Sequence, residues 1–100
     1  MTTFRDNLLA GKTAFVAGGT SGINLGIARR FAELGAKVAV AGRDPDKAAR
    51  AAADIGKGAL GLSGDVRDYA AIRGVMERVA SEFGPMDIVI SGAAGNFLAP

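Results

Sequence analysis

Short apolar runs alternate along this chain with longer stretches of helical period. Thr13 to Ala17, Val38 to Ala41, Ala59 to Leu62 and Ile88 to Ile90 are brief and rich in β-branched or small residues. That is the pattern of strands buried on both faces. Between them, apolar positions recur every three or four residues: Ile23, Ile27, Phe31 and Leu34; then Ala48, Ala52 and Ile55; then Ile72, Val75, Met76, Val79 and Phe83. Each stripe predicts a helix that lays one face on a sheet, so four strands and three helices follow in alternation.

The punctuation agrees with this division. Gly35, Gly56 and Gly84 stand where each helix should end in a left-handed residue, Pro85 follows the last of them, and Asp44-Pro45 supplies an N-cap and a first helical position. Strand, helix and strand repeated with short connections imply right-handed crossovers and a parallel sheet in the order 3-2-1-4. The fourth strand is followed only by Ser91 to Pro100, too little for another crossover helix. Strand 4 is then an open apolar edge. The expectation is that residues 1–100 are the first part of a longer protein, or that this edge pairs with another chain.

The chemistry concentrates between the first strand and the first helix, in Val16-Ala17-Gly18-Gly19-Thr20-Ser21-Gly22-Ile23-Asn24-Leu25-Gly26-Ile27-Ala28. Glycines serve where backbone takes positive φ or must approach a ligand, and a helix starting near Gly22 aims unpaired N–H groups and its positive dipole end at an anion. The turn reads as a cradle for a pyrophosphate, with Gly18, Thr20, Ser21, Gly22, Ile23 and Asn24 as candidate contacts. At the end of the second strand, Ala41-Gly42-Arg43 lacks the carboxylate that would bind the ribose hydroxyls of NAD. Arg43 offers a guanidinium for the 2′-phosphate of NADP instead, although a solvated surface arginine fits the same position. NADP(H) is therefore favoured over NAD(H).

Composition narrows the class. Of 100 residues, 49% are apolar and 22% charged, the balance of a folded globular domain, and the net charge of +2 comes from scattered Lys and Arg, so no nucleic-acid partner is implied. Cys and His are absent, which removes disulfides, thiolate metal sites and the usual neutral-pH acid–base group, and no metal is expected. The opening segment is polar and no run approaches a membrane span, so the expected location is cytoplasmic with no membrane partner. Gly11-Lys12-Thr13 imitates the end of a P-loop but precedes a strand, and Tyr69, the only tyrosine, reads as a helix surface residue.

The turn resembles that of the short-chain dehydrogenase/reductase family, Thr-Gly-x-x-x-Gly-x-Gly: Ala17, Gly18 and Gly22 fall on its first positions and Asn24 replaces its last glycine. The replacement is expected to alter a phosphate contact slightly without removing the site. Asp65-Val66 is similar to the family's acidic position for the adenine amino group, with Val66 lining the adenine; Asp65 or Asp68 would equally cap the third helix. Ser91-Gly92-Ala93-Ala94-Gly95-Asn96-Phe97 is similar to the motif after the family's fourth strand, in the longer form of the 2,4-dienoyl-CoA reductase branch. There Gly92 and Ala93 would lie against the cofactor ribose, and Asn96 and Phe97 would face substrate or simply pack.

The resemblance implies an α/β fold: a Rossmann-like parallel sheet with flanking helices, the N-terminal half of a doubly wound domain. It implies that residues 1–100 are the dinucleotide-binding domain of an NADP-dependent oxidoreductase. Hydride would pass between NADPH and a carbonyl, alcohol or enoyl thioester of a small-molecule substrate, in a complete protein that is a homo-tetramer or dimer. The family's Ser, Tyr and Lys are not in this stretch, so no catalytic residue is assigned and the 100-residue piece alone is expected to be inactive. A non-catalytic nucleotide-binding or interaction module is the alternative; a methyltransferase is disfavoured by Arg43.

Overall fold

A computed structural model of the chain describes residues 8–65 and 67–91. In it β1 (Thr13–Ala17), α1 (Gly22–Glu33), β2 (Lys37–Gly42), α2 (Pro45–Ile55), β3 (Leu60–Ser63), α3 (Tyr69–Phe83) and β4 (Ile88–Ser91) succeed one another. All neighbouring strands are parallel and their order is β3-β2-β1-β4, as the alternation predicts. Thr13 opens β1, so the Gly11-Lys12-Thr13 triplet leads into a strand and not a phosphate-binding helix.

The pleat divides the apolar residues between two layers. Ala14, Val16, Val38 and Val40 face α1 and α2, where they pack with Ala28, Ala32, Ala51 and Ile55. Phe15, Ala17, Ala39 and Ala41 face the other way, onto Val75 and Val79 of α3. Phe15, Val16, Val38, Val40 and Val79 are completely buried, each worth about 1.5–3 kcal/mol over an exposed side chain. The first layer is thin because its helices present alanines. At Gly61, a Cβ would stand 2.1 Å from the Ala48 carbonyl oxygen, so α2 rests directly on the backbone of β3.

Two expectations need correction. Burial on both faces holds for β1 and β2, but β3 and β4 are only half-buried, since each is an outer strand with one neighbour. Val89 of β4 is 52% exposed on the α3 side, while Ile88 and Ile90 pack beneath α1. The stripe of α1 also differs: Leu25, Ala28, Phe31 and Ala32 meet the core, and Ile23 is 83% exposed. Ile23 belongs to the first turn of a helix that begins past the end of β1, where no strand lies beneath it.

The ends of the elements are secured locally. Asp44 caps α2 by accepting from the N–H groups of Asp46 and Lys47, and Asp68 caps α3 by accepting from those of Ala70 and Ala71. Gly56 and Gly84 close those two helices with φ of 73° and 93°. Where β4 enters the sheet, Asp87 clasps β1 twice: its carboxylate accepts from Thr13 N at 2.9 Å and its N–H donates to Thr13 O at 2.8 Å.

Candidate functional site at the carboxyl edge of the sheet

Because the strands are parallel, Ala17, Gly42, Ser63 and Ser91 end on one edge, in register across the sheet. The chain moves from β1 to β2 and β3 on one side, then returns to place β4 on the other. The connections leaving β1 and β3 therefore diverge onto opposite faces, α1 above and α3 below. Ligands of open α/β sheets bind at such a reversal.

The turn that fills this position is held by its neighbours. Gly18 has φ of 80° and donates to the Ala41 carbonyl at 2.8 Å, which fastens the turn to β2. Gly19 is buried against the same strands, with Val16 O and Val40 Cγ1 each 2.9 Å from where a Cβ would lie. The chain then emerges: Ser21 is extended, Gly22 has φ of 64°, and a Cβ on Gly22 would meet nothing within 4 Å. The helix does not run back through the turn, and Ser21, Gly22 and Ile23 are exposed.

The start of α1 lacks the side-chain cap that α2 and α3 have. Ser21 makes no side-chain cap hydrogen bond and no acid stands in the first turn, so the leading N–H groups face outward with the positive end of the dipole. A diphosphate fits these residues: open amides, a glycine at the closest approach and no carboxylate to repel it. Thr20 and Asn24 are half-buried beside them.

The second wall is built from the ends of β2 and β3. Gly64 N donates to Gly42 O at 2.8 Å and Ser63 Oγ to Arg43 O at 3.2 Å, so the two strand ends are joined just where Arg43 turns outward. A Cβ on Gly42 would lie 2.8 Å from Thr20 Cγ2 and 2.9 Å from Thr20 Oγ1. The residue that stands in place of an acid is thus in contact with the glycine turn. Asp65, next along, accepts from the N–H of Arg67 at 2.9 Å, from its Nε at 3.2 Å and from its Nη2 at 3.2 Å. These bonds from Arg67, aided by the charges of Arg67 and Arg43, hold the Asp65 carboxyl below the usual aspartate range, against a smaller opposing effect of desolvation. The same pairing raises the Arg67 guanidinium further.

Of the candidate residues, Gly18, Thr20, Ser21, Gly22, Ile23, Asn24, Arg43 and Asp65 lie along this edge. Val66, Gly92 and Ala93, with Asn96 and Phe97, fall outside the described residues. Asp68 caps α3 and Asp65 does not. Tyr69 is 81% exposed at the start of α3. Sequence reasoning passed over Gly19, Ser63 and Arg67; the Asp65-x-Arg67 spacing was the available sign of the last. No group of three or more metal-ligating side chains occurs among the described residues, and none of their helices is long and apolar enough to cross a membrane.

A short chain dehydrogenase family model matches residues 12–100. A peroxisomal 2,4-dienoyl-CoA reductase of Arabidopsis thaliana is 40% identical over 96% of this chain and 33% of its own length. A galactitol 2-dehydrogenase of Agrobacterium fabrum is 42% identical over 92% of the chain and 36% of its own. Among solved structures, a 3-ketoacyl-(acyl-carrier-protein) reductase of Brucella melitensis complexed with NADH superposes with a TM-score of 0.77 at 41% identity, covering 81% of this chain and 33% of that one. The chain thus spans about a third of the length of these relatives. With the family model matching residues 12–100 and the fold superposing on a solved relative at 41% identity, the chain belongs to the short-chain dehydrogenase/reductase family.

Proposed function

We propose that residues 1–100 form the cofactor-binding domain of an NADP(H)-dependent oxidoreductase that acts on a carbonyl, alcohol or enoyl thioester. The observation that carries this is the uncapped start of α1 at the sheet reversal, while the other two helices are capped by aspartates. On this reading, the N–H groups after Ser21 hold the diphosphate, Gly18 and Gly22 let the backbone come close, Arg43 receives the 2′-phosphate and Asp65 accepts from the adenine amino group. Val66 lines the adenine, and Gly92 and Ala93 lie by the ribose. Nicotinamide, when bound, supplies the hydride. The residues of this chain bind and orient; the acid–base group lies elsewhere, because Tyr69 is the only tyrosine and Arg73, not lysine, follows four residues on.

The relatives bear the names of a dienoyl-CoA reductase, a polyol dehydrogenase and a ketoacyl reductase, so the substrate class stays as broad as those names. The complete protein is read as a homo-oligomer. A cytoplasmic location is part of this reading, whereas several relatives carry peroxisomal names. The test is a fluorescence titration of NADPH and NADH against the protein and its Arg43→Ala variant. Loss of NADPH affinity at least tenfold greater than loss of NADH affinity is expected, since a charge-assisted bond contributes about 1.5–3 kcal/mol. Equal losses would refute the NADP assignment. A polypeptide limited to residues 1–100 should show no turnover with acyl-CoA, ketone or alcohol substrates.

A further inference from the structure

We infer that Arg67 is a specificity-determining positioning residue: by forking onto Asp65 it shields a 2′-phosphate held at Arg43 from that carboxylate, while keeping the carboxylate in place beside the adenine. The inference rests on the reading of Arg43 given above.

The geometry brings opposing charges to one point. Gly64, bonded to Gly42 at 2.8 Å, immediately precedes Asp65, and Ser63 is bonded to the carbonyl of Arg43 at 3.2 Å. Asp65 therefore sits beside the Arg43 turn by construction of the backbone, not by a chance side-chain pose. A phosphate received by Arg43 lies in the field of this acid. An acid at the adenine amino group and a 2′-phosphate stand about one adenosine length apart, so their repulsion is weaker than that of a contact pair, yet near a surface it still changes affinity roughly three- to tenfold before screening, which offsets part of what one guanidinium contributes. Arg67 answers this with a backbone N–H and two guanidinium N–H groups, spread over both carboxylate oxygens. Oδ1 accepts two of these bonds and Oδ2 only one, so Oδ2 keeps a lone pair for a further donor and the pairing neutralises Asp65 without removing it as an acceptor. Arg67 is itself 64% exposed and Asp65 34%, so the pair does little for folding and its consequence is read in what binds beside it.

The experiment titrates NADPH and NADH into the protein and into Arg67→Gln, Arg67→Lys and Asp65→Asn/Arg67→Gln variants, at low and high salt, with Arg43→Ala in parallel. Arg67→Gln should lower the NADPH:NADH affinity ratio roughly three- to tenfold at low salt, with most of that change lost as screening rises. Arg67→Lys, which restores the charge, should hold the ratio near its original value. The double variant, which removes both charges, should also return the ratio to within about twofold, even where both affinities drop together. An unchanged ratio in Arg67→Gln, or a double variant no better than the single, overturns the inference while a selective Arg43→Ala loss leaves the NADP reading standing. Equal loss of both cofactors in Arg43→Ala defeats that reading itself, and the inference with it.

Discussion

Replacing Gly42 by aspartate would place a carboxylate where NAD-binding domains carry one, yet the geometry of the turn predicts that this change alone will weaken NADPH without improving NADH binding. The new Cβ would lie 2.8 Å from Thr20 Cγ2 and 2.9 Å from Thr20 Oγ1, with Thr20 Cβ at 3.4 Å. Ordinary carbon contacts are about 3.5–4.0 Å, so Thr20 must withdraw by more than half an ångström. Thr20 cannot withdraw cheaply, because the turn is fastened by Gly18 to Ala41 and Gly19 is wedged against Val16 and Val40. Overpacking of this size costs about 1–3 kcal/mol, and hydrogen bonds from a ribose diol to a new carboxylate return about 1.5–3 kcal/mol.

For NADH the two effects nearly cancel. For NADPH the steric cost and the repulsion between the new acid and the 2′-phosphate add. Adding Thr20→Ala deletes both close atoms and leaves only the 3.4 Å neighbour, so the steric cost largely vanishes. The expected order is then clear: Gly42→Asp weakens NADPH by at least tenfold and leaves NADH within about threefold of its starting affinity, and Gly42→Asp/Thr20→Ala binds NADH about tenfold better than the single variant. Fluorescence titration of both cofactors measures this, with urea unfolding as a check that the turn and not the whole domain absorbs the strain. A single Gly42→Asp variant that binds NADH as tightly as the double would show that Thr20 yields freely and that the contact has no bearing on selectivity.

Gly61→Ala should destabilise the fold by about 3 kcal/mol or more, because its Cβ would sit 2.1 Å from Ala48 O and 2.7 Å from Ala48 C, both backbone atoms; a loss below 1 kcal/mol in urea unfolding would contradict the direct seating of α2 on β3. Asp68→Ala removes the acceptor of two N–H groups and should cost about 1 kcal/mol, whereas Ser21→Ala, which removes no cap bond, should cost less than about 0.5 kcal/mol; equal costs would argue that Ser21 does cap α1. Asp65 has its folded-state pKa depressed by Arg67, so the pair's contribution is complete above the ordinary aspartate value of about 4 and fades only as pH falls through the lower folded value. The effect of Arg67→Gln on the cofactor ratio should accordingly persist down to about pH 5 and grow only as the 2′-phosphate takes its second charge near pH 6, and loss of the effect above that ionisation would implicate a different group.

What the sequence made legible is what short-range physics decides. Val38 to Ala41 and Thr13 to Ala17 announce strands through β-branched and small residues, Asp44-Pro45 announces a helix start, and Gly18 and Gly22 announce a turn because positive φ is costly for other residues. The parallel order also followed, since short crossovers leave few alternatives. Periodicity failed at Ile23 because it registers an apolar residue in a helix but not whether the sheet extends beneath that turn. Burial failed at β3 and β4 for a related reason: an outer strand and a central one have the same composition, and only the assembled order distinguishes them. The positive φ of Gly18 could be anticipated from local pattern, but the crowding at Gly42 could not, because its neighbour Thr20 is far away along the chain and arrives by tertiary folding.

That distinction bears on where cofactor selectivity resides. A reading confined to Ala41-Gly42-Arg43 treats the choice between NADP and NAD as the sum of one missing acid and one added guanidinium. The structure joins that segment to two others. Gly18 N and Gly64 N donate to the carbonyls of Ala41 and Gly42, and Ser63 Oγ to that of Arg43, so three consecutive carbonyls at the end of β2 are taken up from both sides. Arg43 therefore leaves a backbone that cannot readily shift to suit a different ligand. On the NADP(H) reading proposed above, moving the preference requires the turn on the Thr20 flank to change with it. Single substitutions at Gly42 or Arg43 are then expected to lose affinity more easily than to exchange it, and a double change that relieves Thr20 is the least that converts one preference into the other.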